Sequence, residues 1–484
     1  MVFILGAGES GTGAALLAQA QGFSQILVSD KGQIQAPYRQ ILEIQNIDFE
    51  EFGHQRVEQF LINCLPSPLP VREQLQAIRQ GNRTMPVAIK SPGIPHKVPI
   101  IQQFKNLNIP IISEIEFASY FTQKPLIAIT GSNGKTTTTL LTYHLLKKAG
   151  LNVGIGGNIG DSFAKQIIQD KHDLWVLEVS SFQLDDCYFF QPHVSIILNI
   201  TPDHLDRYNY DFQAYVNAKF KIVAQQTARD YFIYYQGNEA NFVEIEQKQL
   251  PIQAQKLSVS TSADSLRTAQ STTAYIDFEQ AQIQILWQGK NYYIDLNQTT
   301  LKGKHNAINT ACAILASLCV GADFDILIQG LQDFDNVAHR LEKVAEINGV
   351  AYINDSKATN VDSVFYALDS IKTTYPNIIW IAGGIDKGND YTQIESLVIQ
   401  KVKLLISLGK DNQLLKDFFA QKVPQIIHTE SIEQCISIAQ QYVQPGDIVL
   451  LSPACASFDL FQNYEDRGNQ FKAQVLNLVK KTIL

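Results

Sequence analysis

The sequence is poor in the features that mark a secreted, membrane-bound or nucleic-acid-binding chain. It has six cysteines in 484 residues (Cys64, Cys187, Cys312, Cys319, Cys435 and Cys455) and no C-x-x-C pair. Neither a disulfide framework nor a zinc site is suggested, and reduced cytoplasm is the expected compartment. No apolar run approaches the roughly 18 residues of a spanning helix, so no membrane span is expected. No basic stretch precedes the first apolar segment, which ends at Gly6, so no secretory signal is expected either. Basic residues are in deficit, 39 Lys and Arg against 47 Asp and Glu, for a net charge of -8. That balance argues against a nucleic-acid face. Anionic ligands must then be held locally, by helix N-termini, a few basic side chains and metal ions. Fixed-period repeats and long low-complexity tracts are also missing.

What is present is an ordinary globular balance, 45% hydrophobic and 18% charged, and length for roughly three domains of about 150 residues. Apolar strands alternate with amphipathic helices from the start, through "VAIKSPGI" to "IPIISEIEF", where Pro110 to Glu116 reads as a last strand and exit. The proline-rich stretch Asn63 to Pro86 reads as an excursion on the surface of this unit. A second unit opens with "PLIAIT" and adds "LWVLEVS" and "VSIILNI", continuous apolar runs of the kind buried in parallel sheets. After the Ser/Thr/Gln-rich stretch from Ala254 to Thr273, period-two alternation around Gly289 predicts appended antiparallel hairpins. The helical pattern "HNAINTACAILASLCVGA" closes the unit. A third unit, from about Val337, repeats strand and helix through "IIWIAGG", "VKLLISLG" and "DIVLLSPA" to a C-terminal helix. The expected fold is α/β, with domains at 1–112, 113–336 and 337–484.

Two glycine loops compete for interpretation. In "FILGAGESGTG", Gly6, Gly8 and Gly11 follow an apolar strand, and Asp30 ends the next strand about twenty residues on, the spacing of a dinucleotide fingerprint. Taken alone, this predicts NAD and a nicotinamide oxidoreductase. In "IAITGSNGKTTTT", Gly131, Ser132, Asn133, Gly134, Lys135, Thr136 and Thr137 lie between a strand and a helix. There, backbone amides converge on a phosphate, a lysine reaches its outer oxygens and a threonine hydroxyl can bind Mg²⁺. This loop is shorter than the usual P-loop, since Ile129 stands where the first glycine belongs. A non-catalytic nucleotide-binding regulator would satisfy the same loops.

Other polar residues sit where strands end. Glu178 closes an apolar strand, where a lone carboxylate is costly to bury, so it is a candidate metal ligand. The plainer alternative is an acid at an exposed edge. His204, after the next apolar strand, is placed on the carboxyl edge where α/β sheets bind ligands, or is a satisfied loop histidine. Lys219, on "FQAYVNAKFKI", reads as a solvated helix lysine. In the third unit, Asp355, Ser356, Lys357 and Thr359 follow one strand, Asp386 and Lys387 another, and Ser452 and Ser457 a third. Singly these are helix caps; together they suggest a cup for an anionic small molecule.

In combination, "TGSNGKTT", "GGNIG", "EVSSFQL", "NITPDHLDRY", "HNAIN", "AHRLE", "NDSKATN" and "SPACASFD", in this order across nearly the whole chain, resemble the Mur ligases, ATP-dependent amide-forming enzymes of bacterial cell-wall synthesis. Within the family, "SSFQL", "DSKATN" and "SPACASFDLF" resemble the branch that adds D-glutamate. Related branches, such as the L-alanine-adding muramate ligases or the folylpolyglutamate synthases, are the alternatives. The resemblance implies Rossmann-like first and third domains flanking a central P-loop ATPase-like domain. Its implied substrates are UDP-N-acetylmuramoyl-L-alanine, D-glutamate and ATP, handled by a cytoplasmic, monomeric enzyme. By residue, it implies that Gly6, Gly8, Gly11 and Asp30 grip a UDP-sugar and that Asn158 contacts the same substrate. Lys135 and Thr136 would serve the ATP phosphates and a first Mg²⁺, with Glu178 as another ligand of that ion. His204 and Lys219 would attend a second Mg²⁺, Lys219 as a carbamate. Asn306 and Asn309 would lie at adenine, Arg340 and Asp355 near the ATP phosphates and ribose, and His339 would assist catalysis. Thr359, Lys387, Ser457 and Phe458 would hold D-glutamate. Phe458 and Tyr464 stand where the family more often has leucine and phenylalanine.

Overall fold

The computed structural model describes residues 1–262, 272–335, 338–373, 375–386 and 388–483. Its described strands form three sheets. The first contains β1 (Val2–Leu5), β2 (Ile26–Ser29), β3 (Asp48–Glu50), β4 (Val87–Lys90) and β5 (Ile111–Ile112), all parallel, in the order β3-β2-β1-β4-β5. Every residue of β1 and β4 is buried, as continuous apolar strands covered on both faces require.

The second sheet contains β6 (Leu126–Thr130), β7 (Val153–Gly157), β8 (Leu174–Glu178), β9 (Val194–Ile197), β10 (Tyr231–Tyr235), β11 (Gln255–Ser260), β12 (Thr272–Asp277), β13 (Gln282–Trp287) and β14 (Lys290–Asp295). Its order is β14-β13-β12-β11-β10-β9-β6-β8-β7. The pairs from β7 to β12 are parallel, and β12-β13-β14 is the antiparallel meander that the alternation around Gly289 predicts. The third sheet contains β15 (Glu342–Ile347), β16 (Val350–Asn354), β17 (Ile378–Ala382), β18 (Val402–Leu408), β19 (Ile426–Thr429) and β20 (Ile448–Leu451), ordered β15-β16-β20-β17-β18-β19. Only β15 runs antiparallel. The α/β class is as expected, and no described helix is long and apolar enough to cross a membrane.

By contacts, the chain divides into two compact units. One is Met1–Ile200, Arg207–Gln298 and Ala307–Gln332, and the other is Thr201–Asp206, Thr299–Asn306 and Asp333–Leu484. The first two sheets belong to the first unit. Within it, the helix Glu9–Ala20 packs tightly at Gly13, where an added Cβ would lie 2.0 Å from Ser162 Oγ.

Two local expectations change. Residues Asn63 to Pro86 are more than an excursion: Val71–Arg79 is a helix that buries Gln74, Leu75 and Ile78. Prolines before it stiffen the lead-in without entering the helix, and the Gln74 amide donates to the carbonyls of Leu69 and Asn108, both at 2.8 Å. The segment Pro110 to Glu116 is a strand only at Ile111–Ile112, because Ser113 accepts from the Glu116 amide and starts the helix Glu114–Ser119. The start of the stretch after Ala254 is β11, paired parallel with β10.

Candidate active site

The first glycine loop is built by exclusion of side chains. Gly6 has φ +90° and faces Ser91, while a Cβ on Gly11 would stand 1.8 Å from the Gly6 carbonyl. Only hydrogen atoms at both positions let the helix start this close to β1. Asp30 supports the loop directly, its two oxygens accepting from the Ala7 and Gly32 amides, both at 2.8 Å.

The second loop leaves β6 and enters the helix Lys135–Lys148 through Gly134, whose φ of +85° makes it a left-handed N-cap. Asn199, beyond β9, clamps the loop. Its carbonyl accepts from the Ser132 amide at 2.7 Å, its side-chain oxygen from the Asn133 amide at 2.9 Å, and its Nδ2 donates to the Asn133 carbonyl at 3.1 Å. Two lysines converge on one carbonyl: Lys135 Nζ donates to Gly131 O at 2.8 Å and Lys219 Nζ to the same oxygen at 2.9 Å. Lys135 also reaches Ser132 O at 2.9 Å. Lys219 is therefore no solvated helix lysine. It is 1% exposed, lies over the Tyr215 ring, and the Tyr215 hydroxyl meets Ser132 Oγ at 3.1 Å. Lys219 lies on the buried side of the helix Phe212–Phe220 with Tyr215, Val216 and Phe220, while Gln213 and Asn217 are exposed on the other.

Glu178 is likewise no edge acid. It is buried at the end of β8, with the Thr136 hydroxyl donating to Oε2 at 2.6 Å and Asn158 Nδ2 to Oε1 at 2.9 Å. Gly157 makes this possible: its φ is +95°, and a Cβ there would lie 2.2 Å from the Glu178 carbonyl, which accepts the Asn158 amide at 2.8 Å. Thr137 is buried one residue beyond Thr136. Asn309, buried on the helix Lys304–Cys319, closes on Gly134, where a Cβ would come within 2.6 Å of its Oδ1. Thus Gly131 to Thr136, Asn158, Glu178, Lys219 and Asn309 form one cluster in the first unit. Among the described residues no three His, Cys, Asp or Glu side chains gather as a metal cage. The Thr136 hydroxyl and Glu178 carboxylate nevertheless fit Mg²⁺, a hard ion that takes oxygen donors and typically one or two carboxylates beside substrate phosphates.

The second unit carries a separate set. Asp355, after β16, accepts from Ser452 Oγ at 2.8 Å and from the Leu341 amide at 3.2 Å. Burial pushes its carboxyl up to about 7, against the pull of those hydrogen bonds and the Arg340 and Arg467 cations. His339 and Leu341 both adopt left-handed backbone, φ 63° and 44°, flanking Arg340. His339 is fixed from three sides. Its amide donates to Glu342 Oε2 at 2.9 Å, its Nδ1 meets Asn354 Nδ2 at 2.9 Å, and Gly468 leaves it room where a Cβ would lie 2.1 Å away. Burial lowers its pKa. His305, at the start of "HNAIN", is drawn down to about 4 by burial and then by Arg340. Its local signal is its place at the start of the helix Lys304–Cys319, beside Asn306.

Asn306 donates to the Lys302 carbonyl at 2.9 Å. His204, with φ 53° and a half-exposed ring 3.7 Å from Asp203, lies in Thr201–Asp206, which belongs to the second unit. That segment is tied to the helix Val361–Ser370 by Asn360 Nδ2 to Asp203 at 3.3 Å and Thr201 Oγ1 to Asp362 at 3.4 Å. Thr359 is partly buried, Ser457 is 2% exposed and Phe458 is 70% exposed, and Lys387 lies outside the described residues.

A glycine loop opening a helix, a lysine folded over it, and a threonine hydroxyl paired with a strand-end carboxylate define an α/β protein of the nucleoside-triphosphate-using class. Comparison with known families narrows this. The Mur ligase middle domain matches residues 129–317, and the Mur ligase glutamate ligase domain matches residues 339–455. UDP-N-acetylmuramoylalanine--D-glutamate ligases from Porphyromonas gingivalis and Cytophaga hutchinsonii are each 46% identical to the chain. The first alignment covers 99% of this chain and 98% of the relative, the second 99% of both. The chain belongs to the Mur ligase family. Its fold is also that of the MurF ligase from Thermotoga maritima solved with ADP, at TM-score 0.57 and 15% identity over 83% of this chain and 92% of that one.

Proposed function

We propose that this protein joins D-glutamate to UDP-N-acetylmuramoyl-L-alanine at the expense of ATP, releasing ADP and phosphate, in cytoplasmic peptidoglycan precursor synthesis. The observation that carries the reading is the Thr136–Glu178 pair beneath a lysine-capped glycine loop, in a chain that aligns end to end with relatives bearing that activity in their names. A nicotinamide oxidoreductase on the first loop would leave this second constellation without a task.

Forming an amide from a carboxylate is uphill in water, so the acid must first become an electrophile. An oxygen of the alanyl carboxylate attacks the γ-phosphorus of ATP, the bond from that phosphorus to the bridging oxygen breaks, and ADP leaves an acyl phosphate. The glutamate nitrogen then attacks the acyl carbon, the C–O bond to phosphate breaks with its electron pair, and the nitrogen loses a proton. Loop amides and Lys135 bind and orient the triphosphate. Asn158 orients the muramoyl substrate beside Glu178. Asn306 and Asn309 border adenine, and Arg340 and Asp355 border the ATP phosphates and ribose. His339 assists from its fixed position. Thr359, Lys387, Ser457 and Phe458 hold D-glutamate. Gly6, Gly8 and Gly11 admit the diphosphate of the UDP-sugar, with Asp30 holding that loop open for it. Two Mg²⁺ ions, when bound, offset the repulsion between carboxylate and triphosphate. Thr136 and Glu178 would hold one, and His204 with a carbamylated Lys219 the other. Domains at 1–112, 113–336 and 337–484 and a monomeric state complete the reading. The test is phosphate release by the purified chain. It should require both the UDP-muramoyl substrate and D-glutamate, and preference for L-alanine or a diamino acid would reject the D-glutamate assignment.

A further inference from the structure

We infer that Arg467 is a positioning residue for amino-acid binding, a fork that ties the loop bearing Asp355 and Thr359 to the loop bearing Ser457. Arg467 lies on the helix Tyr464–Ile483 with its side chain 1% exposed. Its Nε donates to Ser356 Oγ at 3.0 Å, Nη2 to the Ser356 carbonyl at 2.8 Å and Nη1 to the Cys455 carbonyl at 3.2 Å. Ser356 Oγ passes the connection on to the Tyr464 carbonyl at 2.8 Å, locking the helix start into the same network. The two loops leave β16 and β20, which pair in parallel, so both emerge at one sheet edge. One planar guanidinium therefore fixes their separation, a task a single ammonium cannot perform.

A purely structural explanation is weak on physical grounds. Burying a guanidinium is costly, and an apolar side chain of the same volume would fill the space without that cost. Among the described residues no carboxylate lies within ion-pair distance of Arg467 to neutralise it. Burial draws its pKa down to about 10, against the pull of Asp459 and Asp355, which leaves it protonated at neutral pH. The result is a positive charge held by neutral acceptors, with Asp355 and Asp459 acting on it electrostatically but neither forming an ion pair with it.

The inference rests on the assignment of Thr359 and Ser457 to D-glutamate, so the experiment tests the two separately. Steady-state kinetics are measured on the full chain carrying Arg467→Lys, Ser356→Ala or Ser457→Ala, with melting curves alongside. Arg467→Lys keeps the charge but loses the fork. Its KM for D-glutamate should rise about tenfold or more while the KM for ATP stays within about twofold, because misplacing binding groups by an ångström is that costly. Ser356→Ala should move the same constant in the same direction by less, and it decides the matter if the lysine variant does not fold. A merely structural arginine would lower the melting temperature and the apparent kcat and leave both KM values alone; that result overturns the inference, as does an equal rise in both. If Ser457→Ala raises the KM for D-glutamate and Arg467→Lys and Ser356→Ala do not, the inference fails alone. If Ser457→Ala has no effect, the underlying site assignment fails and the inference with it.

Discussion

The Thr136 hydroxyl donates to Glu178 Oε2 at 2.6 Å across two neighbouring strands, since β6 and β8 pair in parallel with Ile129 opposite Glu178. Thr136 opens the helix after β6 and Glu178 ends β8, so both groups reach the same carboxyl edge, under the loop. Glu178→Gln keeps the shape but removes the charge; its one oxygen can still accept from Asn158, while its amide would donate to the Thr136 hydroxyl instead of accepting from it. Phosphate release should fall by about 10²-fold or more, the scale of losing one preorganised electrostatic group. The melting temperature should change little. A rate that falls only in step with stability would make the pair structural.

Gly157 is the backbone counterpart of that pair. With φ +95° and a Cβ position 2.2 Å from the Glu178 carbonyl, alanine there must push β7 off the end of β8. Gly157→Ala should cost about 1–3 kcal/mol from the left-handed backbone alone, and more from the clash. It should also lose activity, because Asn158 and Glu178 no longer hold one another. Urea unfolding and phosphate release measure the two effects, and a variant as stable and active as the parent would contradict the geometry.

The sequence revealed most where chemistry forces a local pattern. Lys135 and Thr136 were legible because a strand, a glycine turn and a helix within a few residues leave few other uses for them, and Glu178 because an acid ending an apolar strand needs a reason. The strand order of the third sheet, and the insertion of β20 between β16 and β17, follow from contacts far apart in the chain and had no local signal. Lys219 and Arg467 are cations, a residue type that helices usually turn to solvent, yet both are 1% exposed. Their burial depends on Gly131 in one case and on Ser356 and Cys455 in the other, partners 88, 111 and 12 positions away. Asp30 was found by its spacing, but its hold on Ala7 and Gly32 is tertiary detail that no motif encodes.

Glu114 gives the fold a pH dependence. It is fully buried, its Oε1 accepts from Ser162 Oγ and the Ala164 amide, both at 2.6 Å, and burial raises its pKa from 4.5 to about 7. The folded chain thus keeps this proton up to about pH 7, whereas the unfolded chain releases it above about 4.5. Between those values the native state binds more protons, so this contribution to stability is present at low pH and is lost as pH rises through that window. The loss amounts to about 3 kcal/mol at most. Glu114→Gln cannot titrate. Its melting temperature, compared with the parent's, should therefore improve by several degrees between pH 5 and pH 8, on the order of 2–4 °C per kcal/mol for a chain this large. Parallel curves for the two proteins would remove Glu114 as the titrating group.

Lys219 offers the sharpest chemical test of the proposed site. Its amine is buried against Gly131 O and the Tyr215 ring, facing the loop that is proposed to hold triphosphate. A cation there serves phosphate, whereas a carbamate, formed when the neutral amine adds CO₂ and releases a proton, would be an anionic oxygen ligand suited to Mg²⁺. The two states predict different rescue. Lys219→Ala should lose activity by about 10²-fold or more, as removal of a metal ligand or its support does, while ATP binding by calorimetry persists. If the lysine acts as a carbamate, formate or acetate should restore part of the rate by filling the vacated oxygen positions, and added methylamine should not. Rescue by the amine alone would make Lys219 a simple phosphate-binding cation, and an alanine variant of full activity would leave its burial without a catalytic purpose.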